Sequence, residues 1–234
     1  MTALLASVRS AAEAALALAG GADIIDLKDP VRGALGCLDE PSARAALEQV
    51  GRRVPVSATT GDTWNDAGAA SAAIVRLSEL GVDTIKVGLW AGRDNRAYLE
   101  MLAQHARRGV AIVVVALAES GPGPELVDAV ARAELAGFMI DTAKKQRGGL
   151  CASMPVSQLA VIVTAARSQG LSVGLAGSLS IDDIPRLMPL GPDVLGFRGA
   201  LCGPGGRTTA LAPEALHEIR TAMNHALGVL EKTA

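Results

Sequence analysis

Short apolar runs alternate with Ala-rich stretches from one end of the chain to the other. Runs of four to eight apolar, β-branched-rich residues read as strands, and apolar residues spaced three and four apart read as helices. The runs predict strands at 2–7, 22–28, 54–59, 82–88, 110–117, 136–141, 171–176 and 193–197. The stretches between and after them predict helices at about 9–19, 41–50, 65–80, 94–108, 124–133, 155–169, 180–189 and 212–231. Pro41, Pro155 and Pro213 fall where a first helical turn accepts proline. Ile112-Val113-Val114-Val115 is apolar without a break, as a strand covered on both faces should be. Eight strand–helix units in 234 residues predict an α/β fold, a single (β/α)8 TIM barrel, with a doubly wound open sheet as the alternative. No linker or shift in composition divides the chain, so residues 1–234 are expected to form one barrel domain.

Composition narrows the function classes. A net charge of −2 gives no bulk basic character, so no nucleic-acid partner is expected. No apolar run reaches the roughly 18–20 residues that span a membrane, and no membrane partner is expected. The opening MTALLASVRSAAEAALALAGG lacks a basic leader and is interrupted by Arg9 and Glu13, so it reads as a strand and a helix rather than a signal peptide. Cys37, Cys151 and Cys202 are odd in number and show no metal-ligand spacing; free thiols in a reducing cytoplasm are expected. A mean hydropathy of +0.32 with only five aromatic residues suggests helix faces covered by partner subunits, hence a homo-oligomer.

The cations carry the sharper signal. The chain has 17 Arg and only five Lys, namely Lys28, Lys86, Lys144, Lys145 and Lys232. Arg cannot lose its proton in a protein; Lys can, and so can act as an amine nucleophile or base. The first four lysines fall at or just beyond predicted strand ends, where barrel chemistry sits. In GADIIDLKDPVRGALG, residues 21–36, strand alternation turns Asp26 and Lys28 to one face. Strand 3 offers Ser57 and Thr59, strand 4 Lys86, and strand 6 Asp141 with Lys145 beyond it. The plainer reading of each is a structural ion pair, with Asp26 or Asp29 as partner of Lys28. His105, His217 and His225 all fall in outer helices, so acid–base work is expected from Lys and Asp. After strands 7 and 8, Gly177-Ser178 and Arg198-Gly199 form small loops of the kind that bind phosphate in barrels, with Arg198 able to add a bidentate contact; ordinary tight turns are the plainer reading.

GADIIDLKDPVRGALG, SATTGD, IKVGL, MIDTAKK, LAGSL and GFRGALC occur in the order seen in the (5-formylfuran-3-yl)methyl phosphate synthase family, also called 4-(hydroxymethyl)-2-furancarboxaldehyde-phosphate synthase, of methanofuran biosynthesis. The resemblance spans residues 21 to about 207. It implies a class I aldolase-like carbon–oxygen lyase that needs no metal or cofactor. That enzyme condenses two molecules of glyceraldehyde 3-phosphate into a furan aldehyde that keeps one phosphate. It further implies that Lys28 is the Schiff-base lysine and Asp26 its partner, and that Lys86, Asp141 and Lys145 complete the catalytic set. Gln146-Arg147 and the segment Gly203-Pro204-Gly205-Gly206 depart from the family pattern. The alternatives are another class I aldolase-like or sugar-phosphate isomerase barrel, and a non-catalytic barrel that binds a phosphorylated ligand.

Overall fold

The computed structural model describes residues 1–64, 66–143 and 148–233. Eight parallel strands close on themselves: β1 (Ala3–Val8), β2 (Ile24–Leu27), β3 (Val56–Thr59), β4 (Thr84–Leu89), β5 (Ile112–Leu117), β6 (Gly137–Asp141), β7 (Ser172–Leu175) and β8 (Val194–Phe197). β1 pairs with both β2 and β8, which excludes the open sheet. Around them lie α1 (Ala11–Ala19), α2 (Glu40–Val50), α3 (Ala67–Leu80), α4 (Arg96–Ala106), α5 (Pro124–Arg132), α6 (Leu150–Ser153), α7 (Val156–Ser168), α8 (Ile184–Leu187) and α9 (Pro213–Thr233).

The helices start where polar caps satisfy their first free N–H groups. Ser10 accepts from Glu13 N at 3.2 Å, Asp39 from Ser42 N at 3.0 Å and Asp66 from Ala69 N at 3.0 Å. One expected helix is broken. Residues 181–190 form two 3₁₀ turns, Ile181–Asp183 and Met188–Leu190, flanking the single turn of α8. Pro185 and Pro189 lack the N–H that a continuous helix would need there. The one-turn α6 was not predicted by the sequence pattern; four residues are too few to show a period.

The apolar residues form two layers. The larger lies between strands and helices, and includes Leu4, Ile25, Ile85, Val114, Phe138 and Leu195 from the barrel's outer face. The smaller fills the barrel interior, with Leu35, Val115, Met139 and Ala176 at its centre. Interior glycines make room for the large residues there. A Cβ on Gly174 would lie 2.9 Å from Met139 Cε, and one on Gly88 would lie 2.6 Å from the Trp64 ring. This plug of side chains floors the upper end of the barrel, above which the charged residues of the strand ends gather. No helix among the described residues is long and apolar enough to cross a membrane.

Candidate active site

The strand ends turn a set of buried charges into one cavity. Register sets Ser7 beside Asp26 and Asp26 beside Ser57, so two hydroxyls flank one carboxylate. Ser7 Oγ donates to Asp26 Oδ2 at 2.8 Å and Ser57 Oγ to Oδ1 at 2.7 Å. Lys86 Nζ, from the next strand but one, meets Asp26 Oδ1 at 2.5 Å. Lys28, just past the end of β2, instead reaches across the barrel to Asp141 Oδ2 at 3.1 Å. Asp141 Oδ1 accepts the Thr142 N–H at 2.7 Å. The partners therefore differ from those nearest in sequence. Asp26 serves Lys86, and Asp29 caps the turn at Pro30–Arg32 by accepting from Val31 N at 2.9 Å. Asp26, Lys28, Lys86 and Asp141 are all buried and all line the cavity at the C-terminal end of the barrel.

Burial and charge act against each other in this cluster. Burial raises the Asp26 carboxyl, but Lys86, Lys28 and the hydroxyl of Ser57 outweigh it and hold Asp26 below the usual carboxylate value. Burial is also the largest influence on Lys86, and it lowers the ammonium's pKa; Lys28's like charge adds to that, and Asp26 opposes it. One contact thus pulls its two members in opposite directions. It wins at Asp26, where two cations converge, and is outweighed at Lys86 by desolvation. The result is an ionised carboxylate beside an amine that gives up its proton more readily than an exposed lysine.

Gly177, Ser178, Arg198 and Gly199 line the same cavity. Gly177 has φ +113, and a Cβ there would sit 2.9 Å from Thr142 N, so only glycine fits this close approach. Ser178 carries a positive φ of 49. Arg198 has a different occupation from the phosphate contact its position suggests. Its guanidinium donates to Glu13 Oε2 at 2.5 Å and Glu13 Oε1 at 3.2 Å, and to the carbonyls of Ser7, Arg207 and Thr209 at 3.1, 2.8 and 2.8 Å. An arginine has five N–H donors, and all five are engaged. Arg207 was not singled out by the sequence, because it lies in coil beyond β8, yet it lines the cavity. It donates to the carbonyls of Pro30 at 2.8 Å and Gly33 at 3.0 Å. Burial lowers its pKa, and the charge of Asp141 opposes that. Lys144, Lys145, Gln146 and Arg147 lie outside the described residues. No group of three or more His, Cys, Asp or Glu residues among the described ones is arranged to hold a metal ion. His105 sits on α4, outside the barrel, 2.8 Å from Ser71 Oγ.

Known proteins resemble this chain along nearly its whole length. A sequence profile described as 4-HFC-P synthase matches residues 4–220. A relative from Methylorubrum extorquens is 43% identical over 210 residues, covering 89% of this chain and 86% of its own. The (5-formylfuran-3-yl)methyl phosphate synthase of Methanosarcina mazei is 35% identical over 227 residues, covering 92% of this chain and 97% of its own. Among solved structures, 3-hexulose-6-phosphate synthase from Salmonella typhimurium superposes with a TM-score of 0.70 at 18% identity, covering 96% of this chain and 100% of its own. Phosphoribosyl anthranilate isomerase from Thermus thermophilus does so with 0.68 at 17% identity, covering 98% and 100%. At such identities the solved structures speak to the fold alone.

Proposed function

The chain belongs to the 4-HFC-P synthase family, and from that premise we propose that it condenses two molecules of glyceraldehyde 3-phosphate into 4-(hydroxymethyl)-2-furancarboxaldehyde phosphate through an imine on Lys28, in methanofuran biosynthesis. The observation that carries the reading is the pair of buried lysines, each on its own carboxylate, in one cavity at the barrel's C-terminal end. Arginine would serve an ion pair as well, but not an amine nucleophile.

Lys28 must shed a proton to attack the aldehyde carbon, and Asp141 Oδ2 at 3.1 Å is placed to take it. The same carboxyl returns the proton to the carbinolamine oxygen, which leaves as water. The protonated imine then draws electrons from the adjacent C–H bond, and loss of that proton gives an enamine. Asp26, ionised and fixed by Ser7 and Ser57, or Asp141 accepts this proton. The enamine expels phosphate from one triose and supplies the carbon nucleophile for the other. Lys86 holds positive charge beside these steps, and Lys145 is assigned to the second aldehyde on the family motif. Ring closure and dehydration give the furan. Atoms balance when one inorganic phosphate and two waters leave per product, with no net oxidation.

Borohydride added during turnover of glyceraldehyde 3-phosphate is expected to leave one reduced adduct, on Lys28, by peptide mass mapping. Lys28→Arg is expected to abolish both the adduct and the near-ultraviolet absorbance of the furan. An adduct on another lysine, or furan from the arginine variant, refutes the assignment. A phosphate-binding barrel without catalysis would yield neither adduct nor furan.

A further inference from the structure

The two arginines at the mouth of the cavity have opposite accounts. Arg198 spends every N–H on protein acceptors and holds none for a ligand. Arg207 spends only its Nη2 group, on Pro30 O and Gly33 O, and its Nε and Nη1 hydrogens have no partner among the described residues. It shares the cavity with Lys28, Asp141, Gly177, Ser178 and Gly199.

The segment that carries Arg207 is also built rather than loose. Cys202 and Leu211 form an antiparallel bridge. Gly203 N donates to Ala210 O at 3.3 Å and Ala212 N to Leu201 O at 2.8 Å. Within the hairpin, Thr209 Oγ1 donates to Gly206 O at 2.8 Å. Arg198 grips the returning arm, at Arg207 O and Thr209 O, and is itself held by Glu13 from α1. At its tip Arg207 clasps the turn that follows Lys28. A cation with free donors is thereby fixed at the cavity that Lys28 lines, held from the β8 side by the hairpin and from the β2 side by the turn at Pro30–Gly33. The backbone N–H groups of Gly177 and Gly199, also without partners among the described residues, line the same space.

We propose that Arg207, not Arg198, holds the phosphate of the bound triose phosphate beside the backbone of Gly177 and Gly199, and that the Glu13–Arg198 pair is the device that positions it. This rests on the triose-phosphate reading of the site. A guanidinium contact to a phosphate dianion is charge-assisted and partly dry, so its loss is costly to binding. The contact also makes Arg207 a determinant of specificity, separating phosphorylated from unphosphorylated aldehydes of the same carbon skeleton.

The test uses the full chain and inorganic phosphate as probe. Titration calorimetry is expected to show phosphate binding to the unaltered protein, weakened by about tenfold or more in Arg207→Met, with Arg207→Lys between the two. Borohydride trapping supplies the second readout. The ratio of trapping rates for glyceraldehyde 3-phosphate over glyceraldehyde is expected to fall about tenfold in Arg207→Met. Phosphate affinity unchanged in both variants, no phosphate binding by the unaltered protein, or both trapping rates falling together at a constant ratio would each overturn the proposal. If the unaltered protein makes no furan, the synthase reading fails, yet the phosphate titration still decides the role of Arg207.

Discussion

Asp26 has no exposed surface and three polar partners, Ser7, Ser57 and Lys86. Replacing one member of a buried ion pair strands the other charge, which costs about 3–5 kcal/mol, whereas replacing both with apolar residues of like volume is often nearly neutral. Asp26→Asn keeps the shape and strands Lys86. It is expected to lower the melting temperature by roughly 6–20 °C at about 2–4 °C per kcal/mol for a chain of this size. The double variant Asp26→Asn with Lys86→Met is expected to melt above the single one, read by differential scanning calorimetry. Asp26, Lys28, Lys86 and Asp141 were visible as candidates because strand alternation and strand ends fix where such side chains go. Their pairing was not visible. Lys28 meets a carboxylate 113 residues away, across the closed barrel, and local spacing carries no trace of that. Arg207 was hidden for a related reason. It follows no periodic element, and its place depends on the Cys202–Leu211 bridge and on acceptors in the β2 turn.

Between residue and barrel, the units that matter are the connections. The strand–helix alternation was legible because each strand is a short apolar run and each helix a longer periodic one. The 181–190 segment departed from its expected helix because two prolines outweigh a helical pattern. The hairpin after β8 had no pattern to read, yet it carries a designed constraint in the buried Glu13–Arg198 pair. Arg198→Met removes five hydrogen bonds at once, two of them to the returning arm of the hairpin. Local opening of that unit should then become far more frequent than global unfolding. Hydrogen exchange at the Gly203 and Ala212 amides is expected to accelerate by about one to two orders of magnitude, while amides within β5 keep their protection. Equal acceleration throughout would mean that Arg198 supports the whole barrel and not the hairpin.

At the scale of the whole molecule, the closed barrel removes every sheet edge and divides the interior into an apolar plug and a charged rim. Eight apolar runs foretold the plug; the rim makes stability depend on pH. Asp26 has its folded pKa below the ordinary value of 3.8, because two ammonium groups and a hydroxyl outweigh its burial. A carboxyl of that kind binds fewer protons in the folded state than in the unfolded one. Its contribution is therefore complete above the ordinary value and is lost as pH falls through the folded one. The exposed carboxylates Asp39 and Asp94 also lie below their ordinary values, so the total acid limb is not Asp26's alone. Comparison with Asp26→Asn cancels them, since both proteins share them. Urea midpoints measured from pH 7 down to pH 2.5 are expected to differ most at neutral pH and to converge below about pH 4. A gap that stays constant across that range would mean that Asp26 has the same pKa folded and unfolded, whereas an advantage of the unaltered protein that grows as pH falls from 7 toward 4 would mean that Asp26 is already protonated in the folded barrel. It would then be a neutral hydrogen-bond donor beside Lys86, and the enamine step would have to rely on Asp141 alone as its base.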